Sequence, residues 1–216
     1  MEENEYILTE EVVTYLDAAK FEFAVSALPL PRAARIRSPK SEADRARRLA
    51  AEVALRRLLR DAGESYRALT VSYTDTGKPY FEGRPDLTFS LSHSGLIAAA
   101  ALVRGKNGSA APAVGIDVEA IPLGGQAEKY VALAERFFSP GFLRILHAAP
   151  PQETARVFTR LWCLTEAATK AKGSGALDFK AAERILETAG SQETRFLFDS
   201  RGGEYALACT TLNGGD

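Results

Sequence analysis

Two carboxylates stand two residues apart in the stretch VGIDVEAIP, residues 114–122. Val114, Ile116 and Val118 alternate with Gly115, Asp117 and Glu119, which is the pattern of a strand. Successive strand side chains point to opposite faces, so Asp117 and Glu119 share one. A solvated edge strand is the ordinary explanation for two acids on one face. Here Gly115 allows a close backbone approach beside them, and the flanking residues are strongly apolar. A hard cation would turn the repulsion into chelation, and magnesium takes one or two carboxylates together with substrate phosphates and water. A third carboxylate lies in FTRLWCLTEAATKAKGSG, 158–175. Phe158, Leu161, Trp162 and Thr165 follow the apolar face of a helix. Glu166 and Lys170, four residues apart, share another face. As a surface ion pair they are worth about 0.2–0.5 kcal/mol. The sharper alternative has Glu166 reaching a metal or a reacting hydroxyl while Lys170 faces a phosphate.

FSLSHSG, 89–95, ends a strand with small hydroxyls around His93, one of two histidines. A lone strand histidine is usually structural, but this run also offers N–H groups and hydroxyls that suit a phosphate. No Gly-x-Ser-x-Gly elbow accompanies it, which argues against serine hydrolase chemistry. DTGKPYFEG, 75–83, reads as a tight turn with a cation, Lys78, at its tip. The basic run Arg45, Arg47 and Arg48 reads most simply as a solvated helix face.

The elements that must position these residues fall into two similar runs. SEADRARRLAAEVALRRLLRDAG, 41–63, is a helix capped by Ser41 and ended by Gly63, with leucines at helical spacing. Residues 5–31 hold a strand or two and a short helix, ending at the breaker Pro-Leu-Pro. Strands are expected at 68–74, 87–93 and 96–103. KNGSAAPA, 106–113, is the best linker. Beyond it come the strand 113–119, helical segments near 126–137, 139–147 and 152–172, and strands at 195–199 and 204–212 that pair as a hairpin. The expectation is an α+β chain of two halves, 1–110 and 111–216.

Composition sets the outer limits. The chain has 216 residues, 46% hydrophobic and 25% charged, with net charge −1. That permits a sizeable core and supplies no global basic field for nucleic acid. Cys163 and Cys209 lack metal spacing and read as reduced core thiols. The acidic N-terminus carries no signal-peptide pattern, and LIAAAALV, 96–103, is too short to span a bilayer. The cytoplasm is the simplest location, with no membrane association.

In this order, GKPYF (77–81), FSLSHSG (89–95), VGIDVE (114–119), RFFS (136–139) and LWCLTEAATKAKGSG (161–175) resemble the Sfp-type 4′-phosphopantetheinyl transferases. The resemblance covers roughly residues 40–178, and the ordered set is far more specific than any one motif. It implies two pseudo-symmetric α+β subdomains with the active site between them. The nucleotide side of coenzyme A belongs to 1–110 and the metal and catalytic residues to 111–216. It implies Mg²⁺-dependent transfer of phosphopantetheine from coenzyme A, the substrate, to a serine of an apo acyl or peptidyl carrier protein, with release of adenosine 3′,5′-bisphosphate. By resemblance Asp117, Glu119 and Glu166 hold the metal, with Mn²⁺ a possible substitute for Mg²⁺. Glu166 is the candidate base and Lys170 a phosphate ligand, so the catalytic set is Glu166, Lys170 and Asp117. Lys78, Pro79, Ser92, His93 and Ser94 match positions at the nucleotide end, and Arg45 or Arg47 would bind the 3′-phosphate. A monomer follows from two halves in one chain. Two departures stand out. Thr165 replaces the family's usual lysine before the glutamate, and no acid follows Phe137-Phe138-Ser139 closely. A degenerate coenzyme A-binding module without turnover is the alternative that Thr165 motivates.

Overall fold

The computed structural model describes residues 4–122, 127–188 and 191–212. It opens with strand β1 (Asn4–Glu11), a short 3₁₀ turn, and helices α1 (Ala18–Ser26), α2 (Leu30–Arg37) and α3 (Glu42–Asp61). Strands β2 (Val71–Tyr73), β3 (Pro79–Phe81), β4 (Leu87–Ser94) and β5 (Ile97–Arg104) follow. The second run is β6 (Ala113–Ala120), α4 (Ala127–Phe137), α5 (Pro140–His147), α6 (Thr154–Lys172), α7 (Phe179–Thr188), β7 (Ser191–Phe198) and β8 (Glu204–Leu212). Position 126, the expected start of α4, lies outside the described residues.

One connection rule is used twice. In the first sheet the order is β1-β5-β4; in the second it is β6-β8-β7, antiparallel throughout. In each, the first strand pairs with the last, and the last with the one before it. A long amphipathic helix covers each sheet: α3 packs on β1, β4 and β5, and α6 on β6 and β8. This is an α+β architecture. One core gathers Leu49, Leu55, Leu59, Phe81, Phe89 and Leu102 beneath α3. Another gathers Phe138, Phe142, Phe158, Leu161 and Phe179 around α6. A third, of Ala99, Ala101, Val103, Ile116, Val118 and Leu207, joins the two sheets. Both cysteines are buried and neither is in a disulfide. Among the described residues no helix is long and apolar enough to cross a membrane.

The local signals explain most boundaries. Ser41 caps α3 by accepting from the Asp44 N–H, and Gly173 (φ 72°) ends α6 in the left-handed conformation that glycine adopts without penalty. Four expectations change. Pro-Leu-Pro does not break the chain but starts α2, with Pro31 in the first turn, where a missing N–H costs nothing. Residues 79–81 are a strand paired with β2 rather than part of a turn. Residues 66–68 form a 3₁₀ turn, so β2 begins at Val71. Helix α7 fills the stretch before β7, and β7 itself begins at Ser191.

Candidate active site

Gly115, Asp117 and Glu119 lie on the β6 face that meets α6. At Gly115 the helix comes so close that a β-carbon would overlap the Ala167 carbonyl oxygen and the Ala171 nitrogen. Only glycine fits there, and the two acids follow it along the same face. Asp117 is 2% exposed. Its Oδ1 accepts from Lys170 Nζ at 2.6 Å and from the Ser92 hydroxyl at 2.8 Å. Its Oδ2 is buried with no hydrogen-bond partner. Glu119 Oε2 accepts from the Ser94 hydroxyl at 2.8 Å. Glu166 and Lys170, one turn apart on α6, line the same cavity as Asp117 and Glu119.

That cavity, about 410 Å³, reaches from the acids to an arginine-rich wall built from the first half of the chain: Arg32, Arg35 and Arg48, with Glu52, Tyr73 and His93. Arg32 is buried and donates to Tyr66, Tyr73 and Glu52. Arg35 stacks on the Tyr73 ring at 4.4 Å. A second cavity of about 480 Å³ shares Gly77, Pro79, Leu91, Glu166 and Lys170 with the first and continues past Lys78, Gly173 and Leu177. The site is thus a cleft with carboxylates at its centre, arginines at one end and a lysine-flanked, partly apolar channel at the other.

Charges in the cleft press on one another. Burial, with the nearby Asp117 and Glu166 carboxylates, pushes Glu119 above its ordinary carboxylate range. Burial and the Asp117 charge do the same to Glu166, against the pull of Lys170. Enclosure and the cations Arg47, Lys170 and Arg48 hold His93 below its ordinary value. Burial lowers Lys78 to about 8.

The cleft gathers Asp117, Glu119, Glu166, Lys170, Pro79, Ser92 and His93 from among the sequence candidates, with Lys78 in the adjoining channel. Lys78 is not an exposed turn tip: its Nζ donates to the Ala171 carbonyl at the C-terminal end of α6, 2.5 Å away. Ser92 and Ser94 hold carboxylates rather than presenting free hydroxyls. Arg45 donates to the Pro39 and Lys40 carbonyls, and Arg47 pairs with Asp44. The arginines on the cavity wall are instead Arg48, one residue further along α3, and Arg32 and Arg35 on α2. From the sequence Arg45 or Arg47 was expected in this place and Arg48 on a solvated face, and α2 was missed because the prolines read as a stop. Thr165 is fully buried and its hydroxyl bonds back to the Leu161 carbonyl at 3.0 Å, so it stands outside the cleft.

Among the described residues no three His, Cys, Asp or Glu side chains are gathered closely enough to hold a metal ion as they stand. The chemistry of the donors nevertheless fits a hard cation. All are carboxylate oxygens, two are pushed toward protonation by burial and by one another's charge, and the buried Asp117 Oδ2 lacks a partner.

A sequence model of the 4′-phosphopantetheinyl transferase superfamily matches residues 113–211. The 4′-phosphopantetheinyl transferase AcpT of Escherichia coli O157:H7 is 32% identical over 152 residues, 70% of this chain and 70% of that protein. The L-aminoadipate-semialdehyde dehydrogenase-phosphopantetheinyl transferase of Eremothecium gossypii is 32% identical over 176 residues, 77% of this chain and 59% of that one. A 4′-phosphopantetheinyl transferase of Bacillus subtilis is 34% identical over 99 residues, 46% and 39% of the two chains. The chain spans about half the length of several of the curated relatives it matches. The superfamily match runs over β6 and α6, which carry the cleft's acids and Lys170, and the AcpT relative aligns across most of both chains: this chain belongs to the 4′-phosphopantetheinyl transferase superfamily.

Proposed function

We propose that the chain transfers the 4′-phosphopantetheine group of coenzyme A to a serine hydroxyl of an apo acyl or peptidyl carrier protein, acting as a monomer. The observation that carries this reading is the cleft's charge layout. Four cleft groups from β6 and α6 (Asp117, Glu119, Glu166 and Lys170) meet an arginine wall from α2 and α3. Such a layout suits an elongated ligand with a phosphorylated nucleotide at one end and a diphosphate in the middle. Arg35, Arg48 and His93 receive the nucleotide phosphate, with Arg32 held by Tyr66 and Glu52 as the support behind them. Lys78 and Lys170 serve the diphosphate, and the channel past Leu177 takes the pantetheine arm.

Asp117, Glu119 and Glu166 would hold Mg²⁺, or Mn²⁺ in its place. The bound ion supplies neutralisation of diphosphate charge during displacement. The chain's own residues do the rest. The serine oxygen attacks the phosphorus that bears pantetheine, the bond from that phosphorus to the bridging oxygen breaks, and adenosine 3′,5′-bisphosphate leaves. Glu166 takes the serine proton, directly or through water. Lys170 leaves Asp117 for the phosphates as substrate enters, because a diphosphate offers it a denser charge than one shared carboxylate.

The coenzyme A-binding module rested on Thr165, and that residue lies in the core rather than beside the reacting groups. Chromatographic measurement of adenosine 3′,5′-bisphosphate release, made alongside coenzyme A affinity, separates the readings. Stoichiometric release that needs a carrier protein is the expected result. Tight coenzyme A binding with no release on fatty-acid and peptide carriers would reject the transferase.

A further inference from the structure

The two sheets meet at β4 and β6, and side chains make the join. Ser90, Ser92 and Ser94 alternate along β4 and therefore share a face. Their hydroxyls accept from the N–H groups of Ile116, Val118 and Ala120 at 3.1, 3.3 and 3.1 Å. The register advances two residues at a time on both strands. Two of these hydroxyls also donate across the seam: Ser92 to Asp117 Oδ1 and Ser94 to Glu119 Oε2, each at 2.8 Å. The equivalent β6 position for Ser90 is Gly115, which has no side chain to hold. A serine hydroxyl carries one proton and two lone pairs. At 92 and 94 an amide engages a lone pair and the proton goes to a carboxylate, and at 92 the second lone pair accepts from Lys170 Nζ at 3.2 Å, so the hydroxyl is fixed in direction. One oxygen of each acid is thereby pinned, and at Asp117 the other oxygen is left buried without a partner.

We propose that Ser92 and Ser94 are positioning residues: from the first half of the chain they set the side-chain orientation of Asp117 and Glu119 in the second, so that the remaining carboxylate oxygens are presented to a divalent cation, while Ser90 only fastens the seam. The inference rests on the reading of these acids as cation ligands. It makes the cation site a product of both halves, although all three acids belong to the second.

The test uses the whole chain with coenzyme A present and no carrier protein, so no turnover enters the readout. Mn²⁺ binding is followed by the electron paramagnetic resonance of the free ion, and hydrogen exchange is followed at the Ile116, Val118 and Ala120 amides. In Ser92→Ala and Ser94→Ala, Mn²⁺ affinity should fall by about tenfold or more, the usual scale for losing a group that orients a metal ligand. Exchange should quicken at Val118 and Ala120 respectively. Ser90→Ala should quicken exchange at Ile116 and leave Mn²⁺ affinity unchanged. Ser92→Thr and Ser94→Thr keep a hydroxyl and should restore binding, which covers the case of an alanine variant that folds poorly. Wild-type affinity in both alanine variants, or an equal loss in Ser90→Ala, overturns the proposal. Asp117→Ala in the same titration locates the failure. If it loses Mn²⁺ while Ser92→Ala and Ser94→Ala keep it, the serine role falls alone. If it also keeps Mn²⁺, the cation site falls and the serine role with it.

Discussion

At the scale of single residues, Asp117 carries the most weight. It is buried, shared between Lys170 and Ser92, and holds a carboxylate oxygen that is buried without a hydrogen-bond partner. Asp117→Ala relieves repulsion with Glu119 and Glu166 and removes little core volume. The chain should stay folded by circular dichroism while transfer falls by about a hundredfold or more, the scale of losing a group that stabilises transition-state charge. Transfer at the wild-type rate would sink the assignment. Thr165 bears the opposite expectation. Lysine at this fully buried position would place an ammonium in the core beneath α6, at a cost of about 3 kcal/mol or more. Thr165→Lys should therefore lower the melting temperature without raising turnover; a faster enzyme would show that the position does reach the cleft. Lys78 supplies a test in pH. Burial lowers it from 10.5 to about 8, so below about 8 both folded and unfolded chains hold the proton and the penalty of burying the charge is fully present. Between about 8 and 10.5 the folded chain releases the proton first, and the penalty fades. The stability of wild type relative to Lys78→Met should thus rise across that window, read by denaturant titration at several pH values. A pH-independent difference would contradict it.

At the scale of elements, β6 and α6 build the site, and both were legible in the sequence for physical reasons. A strict apolar alternation identifies β6, and an apolar stripe closed by Gly-Ser-Gly identifies α6. What the stripe also implied was that Thr165, on the apolar face with Phe158 and Leu161, points away from Glu166. A motif letter next to a glutamate is not a neighbour in space when consecutive helical residues turn by about 100°. Helix α2 was missed because proline ends a helix in its interior but begins one at its first turn. Arg32 and Arg35 were lost with it. Pairing of β2 with β3 was illegible because three-residue strands carry almost no periodicity. No acid follows Phe137-Phe138-Ser139 closely. Ser139 caps α5, and Glu183 of α7 sits where a side chain at Gly141 would be. A carboxylate beside a helix N-terminus is stabilising. Gly115 brings β6 against the backbone of α6. Gly115→Ala should cost about 1–3 kcal/mol by thermal or denaturant melting, because the atoms it meets are backbone and cannot turn aside. An unchanged melting temperature would mean that α6 can slide on β6.

At the scale of the whole molecule, two sheets of the same strand order are joined so that one cleft receives Asp117, Glu119 and Glu166 from one half and Arg32, Arg35 and Arg48 from the other. Several contacts cross between the halves besides the serines. Lys78 reaches the end of α6, and the Tyr205 hydroxyl accepts from the Leu96 N–H at 2.9 Å while donating to Asp199 at 2.8 Å. The repeated layout of strands and helices was visible from their spacing. That the halves would meet through alternate serines was not, because a hydroxyl looks the same in a sequence whether it faces a phosphate, water or a neighbouring strand. The central claim, transfer to a carrier serine, is tested most directly by intact mass spectrometry of an apo carrier protein incubated with this chain, coenzyme A and Mg²⁺. A mass gain of one phosphopantetheine, lost when a chelator is added, is the expected result. No gain on fatty-acid and peptide carriers, with coenzyme A still bound, would contradict it.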